Sequence, residues 1–313
     1  MNKKNKTLII GGYLSAIVCE ILYGLSPVFT KHAANKTGVL ALLGWRFLVA
    51  FLVMTLCAAT GIIKLQLRGK SLKPLFLIAL FCPCIYFTGE NLGISFTTAS
   101  ESGVFLACIP VTSIIASTLI LKKKPTKTQV IGISLTLVGV FFTVFAVGAT
   151  ASFSALGYLL LSIAVISYAF YSVSVEKAVN YSGVGITYVM AGGGAVLFSV
   201  MALTEAVIKS DVAELLKLPF QNTGFLIAIL YQGIGCSVIA FFLYNIAVAR
   251  IGVNKTSSFF GLATVVSVLA GTLVLKEQFS SYQIAGAIII IIGVFIANFQ
   301  FKRKRADGVK LES

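Results

Sequence analysis

The sequence is poor in charged side chains, and this scarcity bounds the class of protein. Charged residues occupy 11% of the 313 positions, whereas a soluble domain carries about 25%. Apolar residues reach 58%, so the chain could not cover its surface with polar groups in water. The composition excludes an ordinary soluble domain and indicates an all-α integral membrane protein whose solvent is the lipid bilayer.

Histidine and metal-binding or catalytic motifs are almost absent. The chain has one histidine and four methionines. It lacks both a G-x-S-x-G element and a Walker-type G-x-x-x-x-G-K-[ST] loop. The six cysteines lie inside apolar segments as small reduced side chains, and only Cys82 and Cys84 have a spacing that could hold a soft metal. No catalytic residue, cofactor or metal ion is expected, and neither an enzyme nor an ATP-driven pump is predicted.

Basic residues outnumber acidic ones, which gives a net charge of +15. In a soluble protein this excess would suggest nucleic acid as a partner. Here the lysines and arginines form short runs between apolar segments, without an aromatic-interleaved basic face. They are therefore interpreted as topology signals, and the expected partners are the bilayer and a small-molecule substrate, with no nucleic acid and the oligomeric state left open.

Apolar segments predict ten transmembrane helices, since a span needs about 20 apolar residues. The predicted spans are 8–30, 39–61, 74–95, 99–121, 128–148, 155–175, 184–207, 222–246, 253–275 and 281–301. The first is too long for the apolar core of a secretory signal peptide, so it is expected to be retained. The polar stretch 209–221 is predicted to be a connecting loop, and His32 is placed in an outer loop.

The distribution of lysine and arginine predicts the orientation. With the N-terminus in the cytoplasm, most basic residues fall in inner connections, including 3–6, 64–73 and 122–127. This bias follows the positive-inside rule. It predicts cytoplasmic termini in the cell (plasma or inner) membrane and a cytoplasmic tail 304–313, with the basic run Lys302–Arg305 near anionic headgroups.

Internal similarity divides the chain into two halves, 1–150 and 151–303. A displacement of 154 residues places Asn91, Gly132 and Gly139 on Asn245, Gly286 and Gly293, and one of 145 residues places Gly12, Tyr23 and Asn35 on Gly157, Tyr168 and Asn180. Because each half has five spans, the second copy must enter from the opposite side. Two inverted five-helix repeats are typical of secondary transporters.

A family pattern is present in part in each half. The first half carries Pro110 and the spaced Gly132 and Gly139, with lysines where a glutamate is expected; the second carries Glu277, Gly286 and Gly293, with Thr264 where Pro110 aligns. Over nearly its whole length the chain resembles the EamA-like group of the drug/metabolite transporter superfamily. The resemblance implies proton- or exchange-linked movement of small organic metabolites such as amino acids, often export. An uptake permease and a non-transporting membrane scaffold remain as alternatives.

Three ionisable residues fall within predicted spans, where a charge is costly unless it is paired or hydrated. Glu20 could carry a proton, bind a substrate amine, or pair with Arg46 to fix helix packing. Arg46 could hold a substrate carboxylate or phosphate, act as a structural counter-ion, or reach the outer headgroups. Glu90 could pair with Arg46 and form an outer gate, or be an interfacial group.

Tyrosines provide further candidates, because an aromatic ring with a polar tip suits a cavity for organic solutes. Tyr86 lies one helical turn before Glu90, and Tyr168 and Tyr171 lie in the sixth span. Tyr23 and Tyr168 are related by the repeat and could face each other across its axis; ordinary packing is the alternative.

Prolines are candidate hinge points, since proline removes a backbone hydrogen bond. Pro27, Pro83 and Pro110 fall in the first, third and fourth spans.

Overall fold

The computed structural model describes residues 3–34, 38–97, 99–145, 154–275 and 281–298. Every regular element within these ranges is helical, as predicted. The helices are α1 (Lys3–Ala34), α2 (Val39–Ala59), α3 (Lys73–Ala79), α4 (Tyr86–Ser95), α5 (Ala99–Ala107), α6 (Ile109–Leu121), α7 (Lys127–Phe145), α8 (Ala155–Lys177), α9 (Gly183–Ile208), α10 (Val212–Gln221), α11 (Thr223–Leu230), α12 (Phe241–Ile251), α13 (Val253–Ser257), α14 (Gly261–Leu275) and α15 (Ser281–Asn298), with π-helical segments Leu80–Ile85 and Tyr231–Ala240.

The helices are long and apolar enough for a multi-pass membrane protein. Seven stretches of the described chain could cross a membrane: Thr7–Phe29, Val39–Ala59, Lys73–Ser95, Ala155–Lys177, Gly183–Ile208, Thr223–Ile251 and Val253–Gly271. Three shorter apolar helices, Phe105–Leu121, Lys127–Phe142 and Ile284–Asn298, lie where further spans are predicted. The tail 304–313, Glu277 and the ends of two predicted spans fall outside the described residues.

Two of the three candidate hinge prolines coincide with interruptions of a helix. Cys82, before Pro83, has non-helical backbone angles (φ −142°, ψ 120°) between α3 and α4, as expected because a residue before proline is pushed out of the helical region. Pro110 is the second residue of α6, after α5 has ended, a position where its missing N–H is tolerated. Pro27 lies inside α1 without an interruption.

The two π-helical segments occupy equivalent places in the two halves. A displacement of 154 residues carries the segment 80–85 onto 234–239, inside the second segment, and places Cys82 on Cys236. The first segment is broken by the non-helical Cys82, whereas the second keeps helical backbone angles; π-helical turns are frequent at functional sites. The α-helices are thus interrupted by π-helical turns at matching places in the two halves.

The polar stretch predicted as a loop contains a helix, α10. Leu215 and Pro219 are buried, whereas the charged Glu214 and Lys217 are exposed, so α10 is amphipathic. The indole Nε1 of Trp45 donates a hydrogen bond to the Leu215 carbonyl oxygen (3.0 Å), which attaches α10 to α2. The loop prediction for His32 is also wrong, because α1 continues to Ala34.

Helix contacts repeat between the halves. α2 packs on α9 and α7 packs on α15, while the contacts of α1 with α12 and α14 are matched by those of α8 with α4 and α6. Glycines allow the closest approaches: a Cβ added to Gly132 would lie 2.5 Å from the carbonyl oxygen of Gly293. Small residues at a helix interface bring backbones together in this way.

The basic connections gather at one end of the bundle. The Lys70 ammonium donates to the Asn180 carbonyl oxygen (2.6 Å), and Lys123 forms an ion pair with Glu176. Asn254 Nδ2 donates to the Lys123 carbonyl oxygen (3.2 Å). The connections around 64–73, 122–127 and 250–255 therefore share one end, which is the arrangement that the charge distribution predicts.

Candidate functional site

Several buried polar side chains lie where the two π-helical segments meet α1 and α8. Glu20 is 2% exposed and lies on α1. Two residues further along, the Leu22 carbonyl oxygen accepts a hydrogen bond from the Tyr231 hydroxyl (2.8 Å) and a weaker one from the Cys236 thiol (3.7 Å). This stretch of α1 is thus fastened to the second π-helical segment.

Glu20 is a buried carboxyl group with an unsatisfied oxygen. Its Oε2 has no hydrogen-bond partner in the described part of the chain, where the ion pairs are Lys123–Glu176 and Lys209–Glu205. Tyr168 and Tyr244 lie within electrostatic interaction distance of its charge. Because a buried charge is costly without a compensating partner, the geometry favours a proton or a cationic ligand at this carboxyl.

The suggested ion pair of Arg46 with Glu20 or Glu90 does not form. Arg46 is buried, and its Nε donates to the Ser237 hydroxyl (2.7 Å) while one terminal nitrogen donates to Gln232 Oε1 (3.4 Å). Both partners belong to the second π-helical segment, and neither carries a charge. The guanidinium therefore links α2 to the opposite half through neutral oxygens.

Aromatic rings cover the Arg46 guanidinium. Its carbon lies 4.6 Å from the centre of the Phe87 ring and 5.3 Å from that of Phe47. Cation–π contacts of this kind contribute about 0.5–2 kcal/mol, more when the cation is desolvated. The rings and the two side-chain oxygens together hold the guanidinium inside the bundle rather than at the headgroups.

Glu90 and Tyr86 form a pair on α4, as their spacing predicts. The Tyr86 hydroxyl donates to Glu90 Oε1 (2.9 Å). Arg46 interacts electrostatically with Glu90 without reaching ion-pair distance. Glu90 therefore has a hydrogen-bond donor and a nearby cation, whereas Glu20 lacks an ion pair.

Tyr168 lies at the centre of an aromatic cluster. The centres of the Tyr86, Tyr171 and Tyr244 rings are 5.2–5.5 Å from that of Tyr168. The Tyr23 ring instead packs against Phe241 (6.3 Å). The structure thus brings the candidate tyrosines into one region, although the Tyr23 and Tyr168 rings do not stack on each other.

A hydrogen-bond network on the second half includes two residues that sequence reasoning missed, Thr187 and Tyr244. The Tyr171 hydroxyl donates to Asn245 Oδ1 (2.8 Å), and Asn245 Nδ2 donates to the Thr187 hydroxyl (3.1 Å). The Ser172 and Tyr244 hydroxyls lie 2.7 Å apart. The network joins α8, α9 and α12, and the repeat could have pointed to Tyr244, since a displacement of 154 places Glu90 on it.

Three fully buried cysteines, Cys19, Cys82 and Cys236, lie around the same region. Within the described residues, no group of three or more histidine, cysteine, aspartate or glutamate side chains has a geometry that could hold a metal ion. Cys82 and Cys84 therefore have no further ligand there to complete a soft-metal site.

A narrow crevice of about 100 Å³ opens beside the site between α2, α4 and α9. Its lining includes Leu43, Phe87 and Phe198 together with the polar Thr88 and Asn91. Phe87 is also the ring over which Arg46 lies, so the crevice reaches one of the rings that cover the buried guanidinium.

The sequence profile of the EamA-like transporter family matches residues 10–145 and again residues 155–299. The chain belongs to the EamA-like transporter family. The two matches correspond to the two halves that the internal similarity defines, and a membrane transporter is the class that the family describes.

Relatives and a solved structure agree with membership of this EamA-like family. The chain is 32% identical over 294 residues to the uncharacterized transporter YcxC of Bacillus subtilis, covering 93% of this chain and 94% of the relative. It is 25% identical over 313 residues to the uncharacterized transporter YetK of the same organism, covering 96% and 89%. A solved crystal structure with 17% identity has a TM-score of 0.73 and covers 93% of this chain and 98% of its own, which shows the fold.

Proposed function

We propose that the protein is a secondary transporter that exports small organic metabolites, such as amino acids or related compounds, by alternating access. The proposal places ten spans in the cell membrane as two inverted repeats, 1–150 and 151–303, with both termini and the tail 304–313 cytoplasmic. The substrate or proton would meet the central groups Glu20, Tyr23, Arg46, Tyr86, Glu90, Tyr168 and Tyr171.

The contact between α7 and α15 supports the inverted arrangement. A Cβ on Gly132 would lie 2.5 Å from the Gly293 oxygen, and one on Gly139 would lie 2.7 Å from the Gly286 oxygen. Residue numbers therefore rise along α7 as those of the contacting residues on α15 fall, so the two helices run antiparallel. The repeat relates Gly132 to Gly286 and Gly139 to Gly293, and equivalent helices that cross antiparallel are expected from a pseudo-twofold axis in the membrane plane.

A second pair of contacts repeats with the same two displacements. A Cβ on Gly157 would meet the Thr97 methyl group at 2.5 Å, and one on Gly12 would meet the Ile251 side chain at 2.7 Å. The displacement of 145 residues relates the two glycines, and that of 154 relates their partners. Similar halves that pack through equivalent contacts can exchange conformations, which opens a central site to alternate sides.

The isolated carboxyl of Glu20 is the observation that carries the functional proposal. Arg46 has Glu90 as an electrostatic neighbour, whereas Glu20 has an unsatisfied oxygen and no ion pair in the described chain. A charge inside the membrane is costly unless compensated, so such groups mark ion and substrate pathways. A proton or a substrate amine could compensate Glu20 in turn, and this exchange would couple proton movement to solute movement.

A solute efflux screen tests the proposal. The protein is overexpressed in a host, and extracellular metabolites are compared between wild type and the Glu20→Gln variant. Glu214→Gln, which changes an exposed carboxylate on α10, is the matched control. We expect one solute class to accumulate outside with wild type and the control but not with Glu20→Gln.

The outcomes distinguish the function from the role of Glu20. Accumulation that persists unchanged in the Glu20→Gln variant would retain the exporter and remove the role of Glu20. If no solute moves in the screen or in proteoliposomes loaded with the same compounds, the transporter proposal fails.

A further inference from the structure

Glu176, near the end of α8, has both carboxylate oxygens occupied. Oε1 pairs with the ammonium of Lys123, and Oε2 accepts a hydrogen bond from the backbone N–H of Val253 (2.6 Å). The Glu176 side chain is only 9% exposed, whereas that of Lys123 is 62% exposed. The Glu176 carboxylate is therefore buried, while the Lys123 ammonium that pairs with it is exposed to solvent.

Two residues with a positive φ, Gly252 and Lys122, turn the backbone next to the Glu176 carboxylate. Gly252 has a φ of +80°, a conformation that glycine adopts without strain. A Cβ at Gly252 would lie in ordinary van der Waals contact with Glu176 Oε1 (3.4 Å), so a side chain there would meet backbone strain rather than a clash. Lys122 adopts a left-handed conformation at the end of α6 (φ 56°), which turns the chain directly before Lys123. Two local turns thus bring Val253 and Lys123 to one carboxylate.

One of the two contacts of Glu176, the ion pair with Lys123, crosses the boundary between the two halves. Lys123 belongs to the first half, whereas Glu176, Val253 and Asn254 belong to the second, and Asn254 Nδ2 donates to the Lys123 carbonyl oxygen. We call these four residues the Glu176 cluster. By contrast, the ion pair Lys209–Glu205 lies within a single helix.

Other hydrogen bonds join the halves at this same end. The Lys70 ammonium donates to the Asn180 carbonyl oxygen (2.6 Å), and the Ser182 hydroxyl donates to the Leu65 carbonyl oxygen (3.3 Å). These two bonds have neutral carbonyl acceptors, whereas Lys123 and Glu176 both carry a charge. Among the described residues, Lys123–Glu176 is the ion pair that joins the halves, and hydrogen bonds between ionised groups are stronger than those between neutral groups.

We propose that the Glu176 cluster is a latch that holds the basic end of the bundle closed in this conformation. The inference rests on the proposed function, because alternating access requires the halves to separate at one end at a time. Opening this end moves α8 and the start of α13 away from the connection that carries Lys123. The exposed position of Lys123 lets water and ions replace its bond during opening, so the latch can release.

Hydrogen–deuterium exchange on the full-length protein in lipid nanodiscs tests the latch without any substrate. Glu176→Ala removes both bonds, and Glu176→Gln retains a neutral oxygen that can accept from Val253. Glu205→Gln, which removes an ion pair within one helix, is the control. We expect amides of 122–127, 168–177 and 241–257 to exchange roughly ten-fold faster in Glu176→Ala, with a smaller increase in Glu176→Gln and none in the control; the segment 122–127 reports on the first half, which the Val253 bond does not touch.

The pattern of exchange decides the proposal. Faster exchange confined to those segments, with α7 and α15 unchanged, supports the latch. Unchanged exchange in both Glu176 variants, or an equal increase along the whole chain, overturns it. If the protein moves no solute but shows the local pattern, the latch is retained and the proposed function fails. If it transports solute without the local pattern, the proposed function is retained and the latch fails.

Discussion

Replacing Gly132 with alanine tests the crossing of α7 and α15. The added Cβ would lie 2.4 Å from the backbone nitrogen of Ala297 and 2.5 Å from the carbonyl oxygen of Gly293. Carbon atoms do not approach backbone atoms this closely, so α15 would have to move away. Backbone atoms of a packed helix cannot rotate aside as the end of a flexible side chain can.

Two terms of opposite sign set the magnitude. Alanine favours a helix over glycine by about 1 kcal/mol, whereas overpacking a close interface costs about 1–3 kcal/mol and occasionally more. Because the blocking atoms are backbone, we expect the upper end of that range and a net loss of about 1–2 kcal/mol in the free energy of unfolding. The midpoint of thermal unfolding in detergent should fall by about 2–6 °C.

Gly235→Ala is the matched control. A Cβ at Gly235 meets nothing closer than the Tyr231 ring, at 3.6 Å, which is ordinary van der Waals contact. This variant should unfold at the wild-type temperature or slightly above it. If Gly132→Ala is as stable as Gly235→Ala, the two helices do not cross at the described distance.

Two further predictions concern the buried polar groups. Asn245→Ala leaves hydroxyl groups on α8 and α9 without their partner and should lower the free energy of unfolding by about 1–2 kcal/mol. Its repeat equivalent Asn91 bonds only within its own helix, so Asn91→Ala should cost less in the same thermal assay; equal costs would contradict the network. Arg46→Lys should lower the initial rate of solute flux roughly ten-fold, because one ammonium group cannot reproduce the planar fork that bonds Ser237 and Gln232. A wild-type rate would show that the fork is not needed.

The helical class and the two halves could be predicted because both depend on patterns of residues along the chain and not on contacts between distant residues. Apolar run length locates the helices, and lysine placement assigns connections to one end, where Lys70 and Lys123 are found. The helix α10 was missed because its charges and brevity resemble a loop. The spacing of Val212, Leu215, Leu216 and Pro219 follows the helical period and could have revealed it.

The partners of the buried charges could not be predicted in the same way. Helix order brings Glu20, Arg46 and Glu90 into one region but does not set how each helix is rotated. The π-helical turn at Tyr231–Ala240 changes that rotation and presents Ser237 to the Arg46 guanidinium. Uncharged oxygens thereby replace the carboxylates as hydrogen-bond acceptors, and Glu20 is left without an ion pair.

Proton-driven flux in proteoliposomes tests the central claim most directly. The purified protein is reconstituted, the solute identified by the efflux screen is loaded, and its movement is followed with and without an imposed pH gradient. We expect the gradient to accelerate flux through wild type and through Glu214→Gln, and to have no effect on Glu20→Gln. Flux through Glu20→Gln with the wild-type rate and the wild-type response to the gradient would contradict the account.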